Sequence, residues 1–178
     1  PDVRGEFPVI LMRQPYGRAI ASTVVYAHPK WYAAHGYIVI IQDVRGRGTS
    51  EGEFELFTLE IEDGIDTINW AAYLPGSTGE IGMYGFSYQG MTQLYAASAK
   101  PPALKTICPA MSGYDLYTDW AYEGGAFCLI TNLGWAVQIA TETARLRGNE
   151  KAYQELFQAS RNIPLSTINP ALPKVISE

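Results

Sequence analysis

The chain has 178 residues, 47% of them hydrophobic and 17% charged, which suits one ordinary domain with a buried core and argues against disorder. Net charge is −5 with 13 Lys+Arg and no basic cluster, so the sequence lacks the concentrated cationic surface that nucleic-acid binding requires. Apolar runs such as YIVII fall far short of the roughly 20 residues of a membrane span.

No charged-then-apolar leader opens the sequence, and Pro1 leaves the true start open. Cys108 and Cys128 stand at no metal-ligand spacing and read as buried free thiols. Together these features lean towards a reducing, cytoplasmic setting.

In chain order, FPVILM (Phe7 to Met12) is the first strand signal, closed by the turn RQPYGR (Arg13 to Arg18). Pro29 opens a short helix through Trp31, Tyr32 and Ala33 to Ala34, which Gly36 stops, with His28 and His35 at its ends. YIVIIQD (Tyr37 to Asp43) is a near-continuous β-branched run, the pattern of a strand covered on both faces. The glycine-rich loop VRGRGTSEGEF follows.

Leu59 to Leu74 predicts a helix, with Ile61, Ile65, Ile68 and Ala72 at helical spacing and acids near its start, where the helix dipole favours them. PGSTG reads as a turn, Ile81 to Tyr84 as a short strand and Met91 to Ala99 as a helix with Met91, Leu94 and Tyr95 facing inward. Pro101-Pro102 breaks that helix, and LKTICPA returns as a strand. Alternating strands and helices predict an α/β fold with a mainly parallel sheet.

Past Tyr114 the character changes. The sequence is aromatic and helical-looking to Arg147, interrupted by Gly124-Gly125, with no further strand signal, and Asn162 to Glu178 has no periodicity. The expected organisation is a core over 1–113, a helical cap segment over 114–165 and a tail over 166–178.

The chemistry centres on GFSYQG, Gly85 to Gly90. A serine between a buried strand and a helix start projects its hydroxyl clear of the sheet, and the N–H groups at the helix start favour a developing oxyanion. The familiar nucleophile elbow is G-x-S-x-G, whereas here the second glycine comes one residue late. The plainer alternative is a strand-to-helix turn with Ser87 as N-cap.

RQPYGR offers a second feature. Its proline presents Tyr16 at the carboxyl end of a strand, the edge where open α/β sheets gather ligands. The phenol there either donates to an oxyanion or simply covers the sheet edge. Asp43 and Arg45 are expected to pair and shape the glycine loop. That loop has no G-K-[ST], so it is no phosphate cradle, and no cofactor or metal is expected.

Read together, PVILMRQPYGR, YIVIIQDVRGRGTSEGEF and EDGIDTINWAAYLPGSTGEIGMYGFSYQG resemble the serine hydrolases that group Xaa-Pro dipeptidyl-peptidases, cocaine esterase and α-amino-acid ester hydrolases. The likeness runs from about Phe7 to Tyr117. In that family the elbow is itself G-x-S-Y-x-G, so Gly90 stands where the family has it, and Asp43 to Gly52 carries the D-x-R-G-x-G-x-S-x-G loop.

The resemblance implies an α/β-hydrolase-like, mainly parallel sheet flanked by helices, followed by part of a helical cap. It implies Ser87 as nucleophile, with the backbone N–H of Tyr88 and the phenol of Tyr16 as oxyanion donors. It also implies a small ester, amide or peptide substrate, and Trp120, Tyr122, Phe127 and Trp135 as walls of an acyl pocket unless they serve core packing.

In α/β-hydrolases the triad runs Ser, then Asp or Glu, then His. Here both histidines precede Ser87, and neither Asp115 nor Asp119 takes the family's acid role. The expectation is therefore the N-terminal part of a longer hydrolase, inactive alone. An incomplete sheet or cap would also invite self-association, which a clean monomer in sedimentation would contradict. The competing reading is a catalytically dead binding or assembly domain. A continuation of the coding region with an aspartate and then a histidine would separate the two. A flavodoxin-like nucleotide domain lacks its phosphate loop.

Overall fold

The computed structural model describes residues 4–19 and 25–161, so the tail expected over 166–178 lies outside the described residues. The chain divides into two compact units, Pro1–Ser112 and Gly113–Glu178.

The first unit is a four-stranded sheet of β1 (Phe7–Gln14), β2 (Ile38–Asp43), β3 (Ser77–Phe86) and β4 (Leu104–Ala110) in the order β2-β1-β3-β4, all parallel. Helices α1 (Pro29–Ala34), α2 (Glu60–Ala72) and α3 (Tyr88–Ser98) connect the strands. Side chains alternate across a strand, so Val9 and Leu11 of β1 share a face with Ile81 and Met83 of β3. Ile68 and Ala71 of α2 and Ala96 of α3 close over that face to form the core. Each of the larger side chains, Val9, Leu11, Ile68, Ile81 and Met83, stabilises the fold by roughly 1.5–3 kcal/mol on removal from water. On the opposite face Tyr84 meets Tyr26 and Tyr32, with ring centroids 5.2 and 5.5 Å apart, beside a cleft of about 800 Å³.

Several expectations shift. Strand β2 lies at the end of the sheet and its first five residues are only half-buried, because it has one strand neighbour instead of two. Strand β3 begins at Ser77, inside the expected turn, since Phe7 of β1 pairs with Ser77. The buried stripe of α2 is Glu60, Gly64, Thr67, Ile68 and Ala71, rotated away from the isoleucine spacing. Polar residues turn inward there because buried groups on β1 and β2 require partners, and Gly64 lets α2 approach Ala96 of α3. On α3, Met91 is buried while Leu94 and Tyr95 are half-buried. The cysteines are not core residues: Cys108 is exposed on the outer strand β4 and Cys128 half-buried.

The second unit begins with a single π-helical turn, Tyr117–Ala121, in which the Ala121 N–H reaches back five residues to the Leu116 carbonyl at 2.8 Å. A small antiparallel hairpin follows, β5 (Tyr122–Glu123) with β6 (Ala126–Phe127). It corrects the reading of this stretch as interrupted helix. Gly124 and Gly125 both take positive φ, 57° and 86°, as a tight hairpin turn requires. Helices α4 (Leu129–Leu146) and α5 (Glu150–Ser160) complete the unit around Ala144, Ala152 and Leu156.

Candidate active site

Because the strands are parallel, Asp43 of β2, Gln14 of β1, Phe86 of β3 and Ala110 of β4 end on one edge of the sheet. The two motifs that promise chemistry, RQPYGR and GFSYQG, leave the neighbouring strands β1 and β3 at that edge. The two strands pair in parallel as far as Leu11 opposite Met83.

Ser87 occupies the N-cap position of α3, but its side chain makes no capping hydrogen bond. Its backbone sits at φ 57°, ψ −124°, a region that costs a non-glycine residue roughly 1–3 kcal/mol. The turn is held from several sides. Ser87 N–H donates to Ala110 O at 2.9 Å, and Ser87 O accepts from Gly90 N–H and Met91 N–H at 2.9 and 3.0 Å. The Ser112 hydroxyl donates to the same carbonyl at 2.9 Å. Gln89 Oε1 accepts from Phe86 N–H at 3.2 Å, and Gln93 Nε2 donates to Gly85 O at 3.2 Å.

Both flanking glycines have steric reasons. Gly85 has φ 143°, and a Cβ there would run into the side chain of Gln89. At Gly90 a Cβ would overlap the Ser112 hydroxyl and crowd Ala110 O at 3.4 Å. The late second glycine thus leaves room for Ser112 and the end of β4 beside α3.

Tyr88 is the first helical residue, where N–H groups point out of the helix start. Its side chain is buried against Phe57, stacked at 4.7 Å, and its phenol donates to Glu60 Oε1 at 2.7 Å. Burial first, and the negative Glu60 beside it, push the Tyr88 phenol well above its ordinary value. The other oxygen of Glu60 pairs with Arg13 at 2.8 Å, and Arg13 Nε donates to Gln42 Oε1 at 2.7 Å. A chain of side chains, half-buried at Gln42 and buried from Arg13 onward, therefore runs from β2 through β1 and α2 to the elbow. Nothing in the sequence pattern marks it, since Glu60 reads only as one of several acids at a helix start.

Tyr16 is half-buried in a turn that other side chains clasp. Its N–H donates to Gln14 Oε1 at 2.7 Å, and Arg47 Nε donates to Pro15 O at 3.0 Å. Asp43, almost fully buried, accepts from Gln14 Nε2 and Arg18 N–H, both at 2.6 Å, and from Thr49 N–H at 3.2 Å. The expected Asp43–Arg45 pair does not form. Asp43 lies among inward-pointing amides at the end of β2 and takes those donors, while Arg45 turns outward to Asp63 of α2.

In the second unit the aromatic residues form ring pairs, Trp120 with Trp135 at 5.7 Å and Tyr122 with Phe127 at 5.3 Å. Phe127 is exposed and the other three half-buried. Asp119 accepts from the Tyr114 and Asp115 N–H groups at 2.9 and 3.0 Å, which hold its carboxyl below the usual range. It shapes the entry to the π-helical turn. His28 accepts from Lys30 N–H as the N-cap of α1, and His35 Nδ1 lies 2.7 Å from Trp31 O at the other end; both are exposed.

The sequence profile of the X-Pro dipeptidyl-peptidase (S15) family matches residues 1–177. The chain belongs to that family. It is 38% identical over 144 residues to the cocaine esterase of Rhodococcus sp. (strain MB1 Bresler), covering 79% of this chain and 25% of that protein. A CocE/NonD family hydrolase from Staphylococcus aureus superposes with a TM-score of 0.71 at 26% identity, over 93% of this chain and 32% of that one. An aminopeptidase from a marine-sediment Thaumarchaeota archaeon gives a TM-score of 0.66 at 30% identity, over 78% of this chain and 26% of that one. The fold is α/β-hydrolase-like and the family is one of serine hydrolases. The chain spans about a quarter to a third of the length of these relatives.

Proposed function

We propose that this chain supplies the nucleophile and oxyanion side of a serine hydrolase that cleaves ester or amide bonds through an acyl-enzyme on Ser87. Ser87 Oγ attacks the carbonyl carbon, its proton passes to a general base, and the carbonyl oxygen becomes an oxyanion held by Tyr88 N–H and the Tyr16 phenol. The leaving alcohol or amine departs with a proton, and water then releases the acid. Loss of one oxyanion donor costs roughly 3 kcal/mol of barrier in such enzymes.

The observation that carries this reading is the backbone of Ser87. A serine that merely capped α3 would sit in ordinary extended backbone and bond to an N–H of the first turn. This one is held at φ 57° with its hydroxyl released from capping. Strain of that kind persists only where the surroundings over-determine it, as they do here.

Neither His28 nor His35 serves as the base in this reading, since both are exposed and engaged at the ends of α1. The base and its carboxylate are expected from the rest of a longer protein, and residues 1–178 alone are expected to show little or no turnover. Without a triad partner only a residual ~10³–10⁴ over water remains. The test is labelling of the full-length protein with a fluorophosphonate, followed by peptide mapping, beside hydrolysis of an aryl ester. Label on Ser87 and loss of hydrolysis in Ser87→Ala are expected. Undiminished hydrolysis in that variant sinks the assignment, and Ser87-dependent turnover by residues 1–178 sinks the expectation of inactivity. The competing reading is a catalytically silent binding domain, which absence of both label and turnover in the full-length protein would support.

A further inference from the structure

We propose that Asp43 and Arg47 of the glycine-rich loop are positioning residues for Tyr16, so that the D-x-R-G-x-G segment exists to aim the oxyanion phenol. The inference rests on the assignment of Tyr16 as an oxyanion donor.

The turn bearing Tyr16 has no regular secondary structure to fix it, and three of its backbone groups are instead tied to side chains. Gln14 Oε1 accepts the Tyr16 N–H at 2.7 Å, Arg47 donates to the carbonyl of Pro15 at 3.0 Å, and Asp43 accepts the N–H of Arg18 at 2.6 Å. These are one assembly, because Asp43 Oδ1 also accepts from Gln14 Nε2 at 2.6 Å and so fixes which way the Gln14 amide faces. If the Gln14 amide reversed, Tyr16 N–H would face an NH₂ group and lose its acceptor.

The loop is built to hold Asp43 in place. Thr49 N–H donates to Asp43 Oδ2 at 3.2 Å, and the Ser50 hydroxyl to Asp43 O at 2.6 Å. Gly48 has φ 54°, and any Cβ there would overlap the Asp43 carboxylate. Gly46 has φ 69°, and its Cβ would strike the backbone of Glu53 and Phe54, the residue over whose ring the Arg47 guanidinium lies at 5.4 Å. Gly48 thus makes room for the Asp43 carboxylate, and Gly46 lets the backbone of Glu53 and Phe54 come close enough for the Phe54 ring to lie under Arg47. Asp43 and Arg47 are 3% and 1% exposed, so neither is placed to meet substrate directly.

The experiment is a double-variant cycle on the full-length protein, with kcat and KM measured on an aryl ester. Tyr16→Phe is expected to lower kcat about 100-fold. Asp43→Asn, of equal size, is expected to lower kcat about 10- to 100-fold with KM little changed, as slight misplacement of a donor does. In the Tyr16→Phe background Asp43→Asn is expected to add little, because there is no phenol left to misplace. Arg45→Gln, in the same loop but bonded outward to Asp63, serves as control and is expected to leave kcat unchanged.

Multiplicative effects of Asp43→Asn and Tyr16→Phe would overturn the positioning role while leaving Tyr16 as a donor. An unchanged kcat in Tyr16→Phe would overturn the donor assignment itself. If Asp43→Asn does not fold, Arg47→Lys, which withdraws the Nε–H from Pro15 O, is carried through the same cycle and decides in the same way.

Discussion

The two units bury different chemistry. Among the described residues every buried polar or charged side chain, from Arg13 and Gln14 to Thr92 and Gln93, belongs to Pro1–Ser112. The buried residues of Gly113–Glu178 are Val137, Ile139, Ala144, Ala152 and Leu156, all apolar. Two helices that need only stay associated are served by small apolar contacts. The sheet edge that carries the Tyr16 and Ser87 turns is tied instead by directional side-chain bonds, and burying polar groups is costly unless each finds its partner. The contrast marks where positional accuracy matters in this molecule.

The strongest challenge to that contrast is Glu60→Ala, which leaves Arg13 charged and buried without its carboxylate. A loss of about 3–5 kcal/mol is expected in urea denaturation followed by circular dichroism. A loss below 1 kcal/mol would show that the network is dispensable to stability.

Tyr88→Phe removes one bond to the same carboxylate and is expected to cost about 1.5–3 kcal/mol at neutral pH. The phenol is raised above its ordinary value of 10.0 in the folded protein, so its contribution is complete below that pH and declines as pH rises beyond it. The stability gap between the native protein and Tyr88→Phe should therefore narrow above about pH 10. A gap that widens there would contradict the Glu60 contact.

Ser87→Gly tests the strain from the other direction. Glycine tolerates this backbone, so the variant should gain about 1 kcal/mol after its greater unfolded entropy is counted, while hydrolysis is lost. No gain over Ser87→Ala would mean that the turn is not strained.

In the second unit, Asn149→Ala removes the N-cap bond to Ala152 N–H and should cost about 1 kcal/mol. Glu142→Gln weakens an exposed pair with Arg145 and should not move the urea midpoint.

Much of the sheet was legible because its strands are encoded locally. LKTICPA coincides with β4, and FPVILM and YIVIIQD fall within one or two residues of β1 and β2. The elbow was legible because glycines, serine and helix start stand next to one another in sequence. The hairpin was missed because two-residue strands carry no period to read. The Arg13–Glu60–Tyr88 chain was missed for a different reason: its bonds join residues 47 and 28 positions apart, and nothing local distinguishes Glu60 from Glu62. The bracing of Tyr16 lay partly in view in the glycines of VRGRG, but which side chains they admit is a fact of three dimensions.

The same long-range bonds set an order of events in folding. Thr92 of α3 reaches the carbonyl of Arg13 across 79 positions, and Arg13 and Glu60 meet across 47. Contacts between such distant residues close late, after the chain has already lost much of its freedom. The positive φ of Ser87 is held by local bonds from Gly90 and Met91 together with longer-range bonds to Ala110 and Ser112, which exist only once β4 has docked beside the turn. In a refolding experiment, helical signal should return before Ser87 becomes open to the fluorophosphonate. The Ser87 turn is then expected to be set late, and labelling there would report that β4 has assembled beside it.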